Sequence, residues 1–178
     1  MQERLVVLGA GESGIGAAIL AKKQGFDVFL SDKKSISEEL KEFLNKEAIK
    51  WESGKHTLES MKDARLVIKS PGIPDSISLL DALRKQGSSI LSEIEFASHY
   101  TNATLIGITG TNGKTTTTML TYEILKNAGL NVGLAGNIGT SFARQVAQEQ
   151  FDYYVLEISS FQLDNIHDFA PHISVITN

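Results

Sequence analysis

The sequence predicts an α/β fold made of two successive units, a Rossmann-like parallel sheet followed by a second α/β unit that is incomplete. Short runs of β-branched residues alternate along the chain with longer amphipathic stretches, which is the pattern of parallel strands connected by helices. Two glycine-rich turns, residues 9–14 and 110–114, each follow a predicted strand and open a predicted helix. With 178 residues, the chain is long enough for two small domains.

The first unit is expected to cover residues 1–95. Strands are predicted at residues 5–8, 27–30 and 66–68, and a further short strand is predicted to start at residues 90–91. Helices are predicted at residues 15–24, 37–45 and 78–86. Gly25 should end the first helix, and Ser37 can cap the second. The charged stretch 37–50 is interpreted as the solvated face of that second helix. Two prolines forbid regular structure in residues 70–74.

The second unit is expected to cover residues 96–178, with the boundary lying between Glu95 and Thr101. Its strands are predicted at 104–108, 131–134, 153–158 and 173–176, and its helices at 114–127 and 142–148. The last predicted strand ends just before Asn178, and no helix follows it. Because a parallel sheet needs cover on both faces, we expect this unit to be truncated and the chain to be a fragment.

Composition excludes several classes of protein. The net charge of −4 and the pI near 5.6, with no basic stripe, argue against a nucleic-acid-binding protein. The absence of cysteine excludes disulfides, zinc–thiolate sites and cysteine nucleophiles. No apolar run approaches the ~20 residues that span a bilayer, and no signal peptide is recognisable. We therefore expect a soluble cytoplasmic protein that binds neither nucleic acid nor membrane.

The second glycine-rich turn has the chemistry of an ATP-binding loop. Small residues let successive backbone N–H groups point at phosphate oxygens, and the start of the following helix adds partial positive charge. Lys114 can neutralise the β- and γ-phosphates, and the Thr115 hydroxyl can bind Mg²⁺. The predicted ATP-binding residues are Gly110, Thr111, Asn112, Gly113, Lys114, Thr115, Thr116 and Thr117. The usual P-loop carries a further glycine where this chain has Ile108.

Residues 109–115 (TGTNGKT) resemble the shortened P-loop of the Mur ligase and folylpolyglutamate synthase superfamily. Members of that superfamily use ATP to join an amino acid to a carboxylate. Residues 69–74, 92–95, 136–139 and 156–163 further resemble the Mur ligases that add D-glutamate, in the order of that family and across nearly the whole chain. The resemblance implies that the second unit is a P-loop α/β ATPase domain.

Four polar residues of the second unit are candidates for binding a metal or a substrate. Glu157 ends an apolar strand beside the phosphate-loop strand, where a carboxylate can hold Mg²⁺ against the nucleotide or can simply be an exposed strand end. Asn137 lies between glycines that allow a ligand to approach, or is a plain turn residue. Ser159 and Gln162 could bind substrate or phosphate, or could be a helix cap and a surface residue. The resemblance implies that Asn137, Ser159 and Gln162 bind a UDP-linked substrate.

The first glycine-rich turn fits the pattern G-x-G-x-x-G, and Asp32 follows at the distance of a ribose-binding acid. By the motif alone this is an NAD site, although the same arrangement suits any diphosphate and ribose. In the family that the chain resembles, it holds the UDP of a nucleotide sugar. Glu12 would repel a diphosphate unless its side chain points away. The residues assigned to UDP are Ser13 and Gly14 (diphosphate), Asp32 and Lys33 (ribose and base), and Gly72 (a facing loop).

The resemblance implies a two-step ligation with ATP, UDP-N-acetylmuramoyl-L-alanine and D-glutamate as substrates and Mg²⁺ as cofactor. The substrate carboxylate attacks the γ-phosphate of ATP to give an acyl phosphate, and the amine of D-glutamate then displaces phosphate. Lys114 and Glu157 are the catalytic candidates, and Thr115 and Glu157 are the candidate metal ligands. The resemblance implies a monomeric full-length enzyme whose metal-binding histidine, modified lysine and third domain follow beyond these residues, so we expect this chain to be inactive alone.

Two other functions stay open. An NAD-dependent oxidoreductase would explain the first turn, but hydride transfer needs no phosphate loop in a second unit. A non-catalytic nucleotide-binding module would use both turns without turnover. The four histidines share no metal-ligand spacing and are expected at the surface or at helix ends: His56, His99, His167 and His172.

Overall fold

The computed structural model describes residues 2–178 and contains two parallel sheets with helices packed against them. The strands of the first unit are β1 (Arg4–Leu8), β2 (Asp27–Asp32), β3 (Lys50–Ser53), β4 (Leu66–Lys69) and β5 (Ser89–Ser92). Its helices are α1 (Glu12–Lys23), α2 (Glu38–Lys46), α3 (Ser78–Lys85) and α4 (Glu93–Ser98). The sheet order is β3-β2-β1-β4-β5, and every pair is parallel. This order confirms the predicted Rossmann-like fold.

The second unit is a smaller parallel sheet. Its strands are β6 (Thr104–Gly110), β7 (Val132–Gly136), β8 (Tyr153–Glu157) and β9 (Ile173–Thr177), and its helices are α5 (Lys114–Asn127) and α6 (Phe142–Gln148). The strand order is β7-β8-β6-β9, and the predicted bounds of α5 and α6 are confirmed. None of the helices within residues 2–178 combines the length and the apolar character that a bilayer span requires.

The two units share a core. Residues 5–8 of β1 are fully buried, as expected for a parallel strand that is covered on both faces. Helix α1 packs against α6 of the second unit, and Gly16 lies in that contact, where a β-carbon would collide with the Ser141 hydroxyl. Phe142 and Tyr154 of the second unit belong to the same apolar cluster as Leu5.

The interpretation of the stretch 37–50 as one solvated helix face is confirmed as far as Lys46, since the charged residues of α2 are mostly exposed, and it is wrong beyond that residue. Helix α2 ends at Lys46, Ala48 adopts a positive φ of 52°, and β3 begins at Lys50 beside β2. The buried Ile49 joins the main apolar cluster. A four-residue edge strand with charged members carries little alternating pattern, so the prediction missed it.

Helix α4 was also missed, and it lies between the two sheets. The Ser92 hydroxyl caps it by accepting the Glu95 N–H at 3.1 Å. Residues 93–97 are all buried, and a helix that is buried on every side has no amphipathic pattern to read. The predicted boundary region, from Glu95 to Thr101, overlaps the end of this helix, and the division into two domains stays a proposal.

Candidate functional site

The phosphate loop connects β6 to α5 and depends on two glycines. Gly110 and Gly113 adopt φ values of 138° and 76°, which residues with side chains rarely adopt. The first hydrogen bond of α5 runs from Thr117 N to Gly113 O, so the three preceding N–H groups lack helical partners. Behind the loop, Thr177 Oγ1 of β9 lies 2.5 Å from Asn112 O. A loop of this shape presents backbone donors and the positive end of a helix dipole to an anion.

Lys114 folds back over this loop. Its Nζ donates to Gly110 O at 2.7 Å and to Thr111 O at 3.2 Å, so the ammonium lies against the backbone that would cradle phosphate. Thr115 and Thr116 are exposed on the first turn of α5. The loop therefore offers a cation and a free hydroxyl to an incoming nucleotide.

Glu157 ends β8, the strand between β6 and β7. The residue is only 1% exposed. Its Oε1 accepts from Asn137 Nδ2 at 2.7 Å, and Asn137 N donates to Glu157 O at 2.8 Å. Oε2 is buried and has no hydrogen-bond partner among residues 2–178. Because buried polar atoms are nearly always satisfied, this oxygen marks a place where an ion or a ligand can bind.

The residues present fit a magnesium ion. The predicted ligands, Thr115 and Glu157, supply hard oxygen atoms, and one of the Glu157 oxygens is free. Mg²⁺ commonly takes one or two protein oxygens and completes its octahedral shell with phosphate and water. The described part of the chain holds no cluster of three or more His, Cys, Asp or Glu. A site shared between protein and nucleotide is therefore the kind that these residues can form.

Ser159 and Gln162 form a capping box around the one-turn helix after β8. Gln162 Oε1 accepts from both Ser159 N and Ser159 Oγ at 3.0 Å. Ser159 therefore caps this helix, which was the alternative to a role in binding substrate. Gln162 was expected at the surface under the same alternative, but it is buried. A contact of either residue with substrate stays a prediction.

The first unit contains a cavity of about 420 Å³ at the carboxyl ends of its central strands. Ligands of open α/β sheets bind at this edge, where the strand order reverses. Four of the five residues assigned to UDP line the cavity, namely Ser13, Asp32, Lys33 and Gly72. The fifth, Gly14, is buried instead, and a β-carbon on it would collide with Gly9 O. Gly14 therefore shapes the turn by letting two backbone segments pack closely.

Asp32 holds the first glycine-rich turn to the end of β2. Its Oδ2 accepts from Ala10 N at 2.7 Å, and its Oδ1 accepts from Lys34 N at 2.7 Å. Each oxygen keeps a lone pair, so a hydrogen bond to ribose remains compatible with this arrangement and stays a prediction.

Glu12 is neutralised from the second unit. Arg144 donates to its two oxygens from Nε at 2.8 Å and from Nη2 at 2.9 Å, and Ser141 N donates to Oε1 at 3.2 Å. The acid that would repel a diphosphate is therefore paired with a guanidinium. This ion pair also joins the start of α1 to the start of α6.

Two residues of the cavity wall were missed from the sequence. Ser70 Oγ is buried and unpartnered in the described chain, and its place directly after β4 was a usable signal. His56 also lines the cavity, with its Nδ1 2.7 Å from Ser31 Oγ. Burial lowers the pKa of His56, although Asp32 and Glu52 act in the opposite direction. No sequence signal marks His56, because its position depends on a contact with a residue 25 positions away.

Two acids of α4 differ in their electrostatics although both are buried. Burial raises the pKa of Glu93 to about 7, and its carboxylate accepts the Ala143 N–H of α6. Burial would also raise the pKa of Glu95, but the N–H groups of residues 167–169 donate to it and bring its pKa below the usual value. Glu95 is thus a charged anchor for that loop, whereas Glu93 is poorly stabilised as an anion.

Two α/β units that each present a glycine-rich turn at the carboxyl edge of a parallel sheet define a nucleotide-binding protein. Residues 4–78 match the family model of the MurD N-terminal domain, and residues 108–178 match the Mur ligase middle domain. The chain belongs to the Mur ligase family.

Similar proteins carry the name of one ligase. A UDP-N-acetylmuramoylalanine–D-glutamate ligase of Bacteroides fragilis is 59% identical over 176 residues, which are 99% of this chain and 40% of that protein. A protein of the same name from Christiangramia forsetii is 54% identical over 178 residues, again with 40% of its length covered. The solved structure of a pseudomurein peptide ligase type C from Methanothermus fervidus has a TM-score of 0.54 and 32% identity, and the match covers 89% of this chain and 33% of that chain. The chain spans about two fifths of the length of the curated relatives.

Proposed function

We propose that this chain forms the UDP-sugar-binding and ATP-binding part of a ligase that joins D-glutamate to UDP-N-acetylmuramoyl-L-alanine. The observation that carries the proposal is the free, buried carboxylate oxygen of Glu157. Glu157 is the last residue of β8, which pairs directly with β6, the strand that leads into the phosphate loop. Ile108 of β6 and Glu157 of β8 are paired in register. The names of the relatives support the choice of substrates.

ATP would bind at the start of α5. The free N–H groups of the loop would hold its phosphates, and Lys114 would exchange its bonds to Gly110 O and Thr111 O for bonds to phosphate oxygens. Mg²⁺, when bound by Thr115 and Glu157, supplies charge neutralisation at the γ-phosphate. Catalysis by these residues would rest on positioning and electrostatics, because phosphoryl transfer to a substrate carboxylate needs no protein nucleophile.

The UDP-linked substrate would bind in the first cavity. The N-terminus of α1 would hold the diphosphate, and the ends of β2 and β3 would hold the nucleoside. Asn137 is fixed against Glu157 by two hydrogen bonds, and its side-chain oxygen and second amide hydrogen are the groups that it would offer to the UDP-linked substrate. Because both ATP and UDP-sugars are cytoplasmic metabolites, we place the full-length enzyme in the cytoplasm. That it is a monomer stays a prediction from the family resemblance.

Calorimetric titration of the purified chain tests this proposal. UDP-N-acetylmuramoyl-L-alanine should bind saturably and NADH should not, and Mg²⁺–ATP should bind to the wild type better than to Glu157→Gln. The substitution keeps the Asn137 contact possible but removes the charge that a metal needs. Binding of NADH alone would instead favour the oxidoreductase.

A turnover assay tests the prediction that the chain is inactive alone. Purified 178-residue protein, supplied with all three substrates and Mg²⁺, should incorporate no D-glutamate above background. Incorporation above background would show that these two units are sufficient for catalysis.

A further inference from the structure

His56 lies at the end of the first cavity where a nucleoside would sit. The cavity extends from Gly11 and Ser13 at the start of α1 to Asp32, Lys33 and His56 beyond β2 and β3. A diphosphate favours the helix N-terminus, which leaves the other end for the sugar and the base. Within residues 2–178, the only hydrogen bond of the His56 ring is the one made by Nδ1. Its Nε2 is therefore available to a ligand.

The hydrogen-bonding groups around Ser31 determine which ring nitrogen carries the proton. Ser31 is fully buried, and its hydroxyl lies 2.8 Å from Glu52 Oε1, 3.3 Å from Lys55 O and 2.7 Å from His56 Nδ1. A hydroxyl has one proton, and carboxylate and carbonyl oxygens can only accept. The proton of Ser31 goes to Glu52, because hydrogen bonds to a charged acceptor are the stronger ones. His56 Nδ1 must then donate to Ser31, which leaves an acceptor lone pair on Nε2 of the neutral ring.

The surroundings keep this ring neutral near pH 7. Burial holds the pKa of His56 below its ordinary value; Asp32 and Glu52 raise it, and Lys33 lowers it further. The other charged residues that line the cavity are Lys34 and Glu12, and Lys55 contacts Ser31 only through its carbonyl oxygen. Because Glu12 is paired with Arg144, it leaves little net charge to draw a proton onto the ring.

We propose that His56 is a specificity-determining residue of the cavity, whose Nε2 accepts a hydrogen bond from the uridine of the ligand. The donor is either the imide N–H of the base or a ribose hydroxyl. This inference rests on the proposed function, since it takes the nucleoside to be uridine.

Two substitutions of His56 separate its contact with Ser31 from its contact with the ligand. The amide nitrogen of His56→Asn can replace Nδ1 and donate to Ser31, but nothing replaces Nε2. The amide oxygen of His56→Gln reaches the position of Nε2 and can accept there. In calorimetric titrations with UDP, we expect His56→Asn to bind roughly tenfold more weakly, and His56→Gln to stay within about threefold of the wild type. His99→Asn, on α4, is the matched control and should bind UDP like the wild type.

The pH dependence and two analogues of UDP complete the test. Wild-type affinity should fall more steeply than that of His56→Gln as pH drops below 6.5, because Nε2 becomes protonated in addition to the terminal phosphate of UDP, which titrates with both proteins. The His56→Asn penalty should vanish with 3-methyluridine diphosphate if the base is the donor, or with 2′,3′-dideoxyuridine diphosphate if the ribose is. A penalty that persists with both analogues, or equal binding of UDP by wild type and His56→Asn, would overturn the role of His56 and leave the proposed function intact. A folded wild-type chain that fails to bind UDP would overturn both.

Discussion

The two glycine-rich turns share a strand–turn–helix arrangement but offer a phosphate different partners. The first turn carries an acid, Glu12, whose charge is met by Arg144 of the second unit. A diphosphate there would depend on backbone N–H groups and the dipole of α1. The second turn carries Lys114, whose ammonium already lies 2.7 Å from Gly110 O. Under the proposed function, the first turn holds a phosphate that does not react, and the second neutralises one that is transferred.

The turns also differ in packing. At Gly14 a β-carbon would collide with Gly9 O, so two backbone segments touch beneath the first turn. At Gly113 the nearest atom to a β-carbon would be Thr177 Cβ at 4.0 Å, which is open space, although φ is 76°. Gly14 of the first turn therefore needs glycine for room, and Gly113 of the second needs it for conformation. Gly110 needs it for both, since a β-carbon there would also collide with Thr177 O.

The largest expected effect tests that difference in packing. Gly14→Ala should lower the free energy of unfolding by about 3 kcal/mol, because backbone atoms cannot move aside as a flexible side chain can. Gly113→Ala should cost only about 1 kcal/mol, the price of a left-handed conformation for alanine. Urea denaturation of both variants measures this. Equal losses would show that the two glycines serve the same purpose.

A smaller effect is expected when the cation of the second turn is removed. Lys114→Ala should weaken ATP binding by about 2 kcal/mol, or roughly thirtyfold, since a charge-assisted hydrogen bond is lost. UDP binding should not change, because the first turn holds phosphate without a lysine. Calorimetry with both nucleotides checks this, with the exposed Lys62→Ala as the control. Parallel weakening of UDP would mean that the turns are not independent.

Much of the fold could be predicted because its elements have periodic or motif signals. Helices α5 and α6 have the bounds that the sequence predicts, and the phosphate loop is one contiguous run. Helix α1 begins at Glu12, three residues before the predicted start, since its first turn belongs to the glycine motif. Strand β3 and helix α4 escaped prediction, because one is a short charged edge strand and the other is buried on all sides.

The candidate site was predictable only where its residues are close in sequence or match the family pattern. The ion pair of Glu12 with Arg144 joins residues 132 positions apart. The hydrogen bond between Ser31 and His56 likewise forms only when β2 and β3 pair. Such contacts depend on strand order and helix packing, which hydrophobic periodicity does not specify.

Glu93 of α4 accepts a hydrogen bond from α6 of the second unit and should make stability depend on pH. Because its folded pKa of about 7 exceeds its ordinary value, the native state binds more protons than the unfolded state between about pH 4.5 and pH 7. This contribution to stability is present at low pH and is lost as pH rises through 7. Glu93→Gln should therefore gain up to about 2 kcal/mol over wild type at pH 8, and nothing at pH 4.5.

Thermal or urea unfolding at several pH values measures this difference. Glu95→Gln is the matched control two residues away, and it should destabilise the protein at pH 8, since the native state lowers the pKa of Glu95. A wild type that gains stability relative to Glu93→Gln on going from pH 5 to pH 8 would contradict the assignment.

The smallest effect is expected at Glu12, where the first turn depends on the second unit. Its ion pair with Arg144 is partly exposed, so Glu12→Gln should lower the free energy of unfolding by less than about 1 kcal/mol. The same change removes a negative charge near the cavity and frees the guanidinium, so UDP should bind up to about threefold more tightly at low salt. ATP affinity should stay the same. If the affinity for UDP instead falls tenfold, then Glu12 positions the first turn rather than repelling the phosphate. The first turn would then depend on Arg144 of the second unit for its conformation as well as for the neutralisation of Glu12.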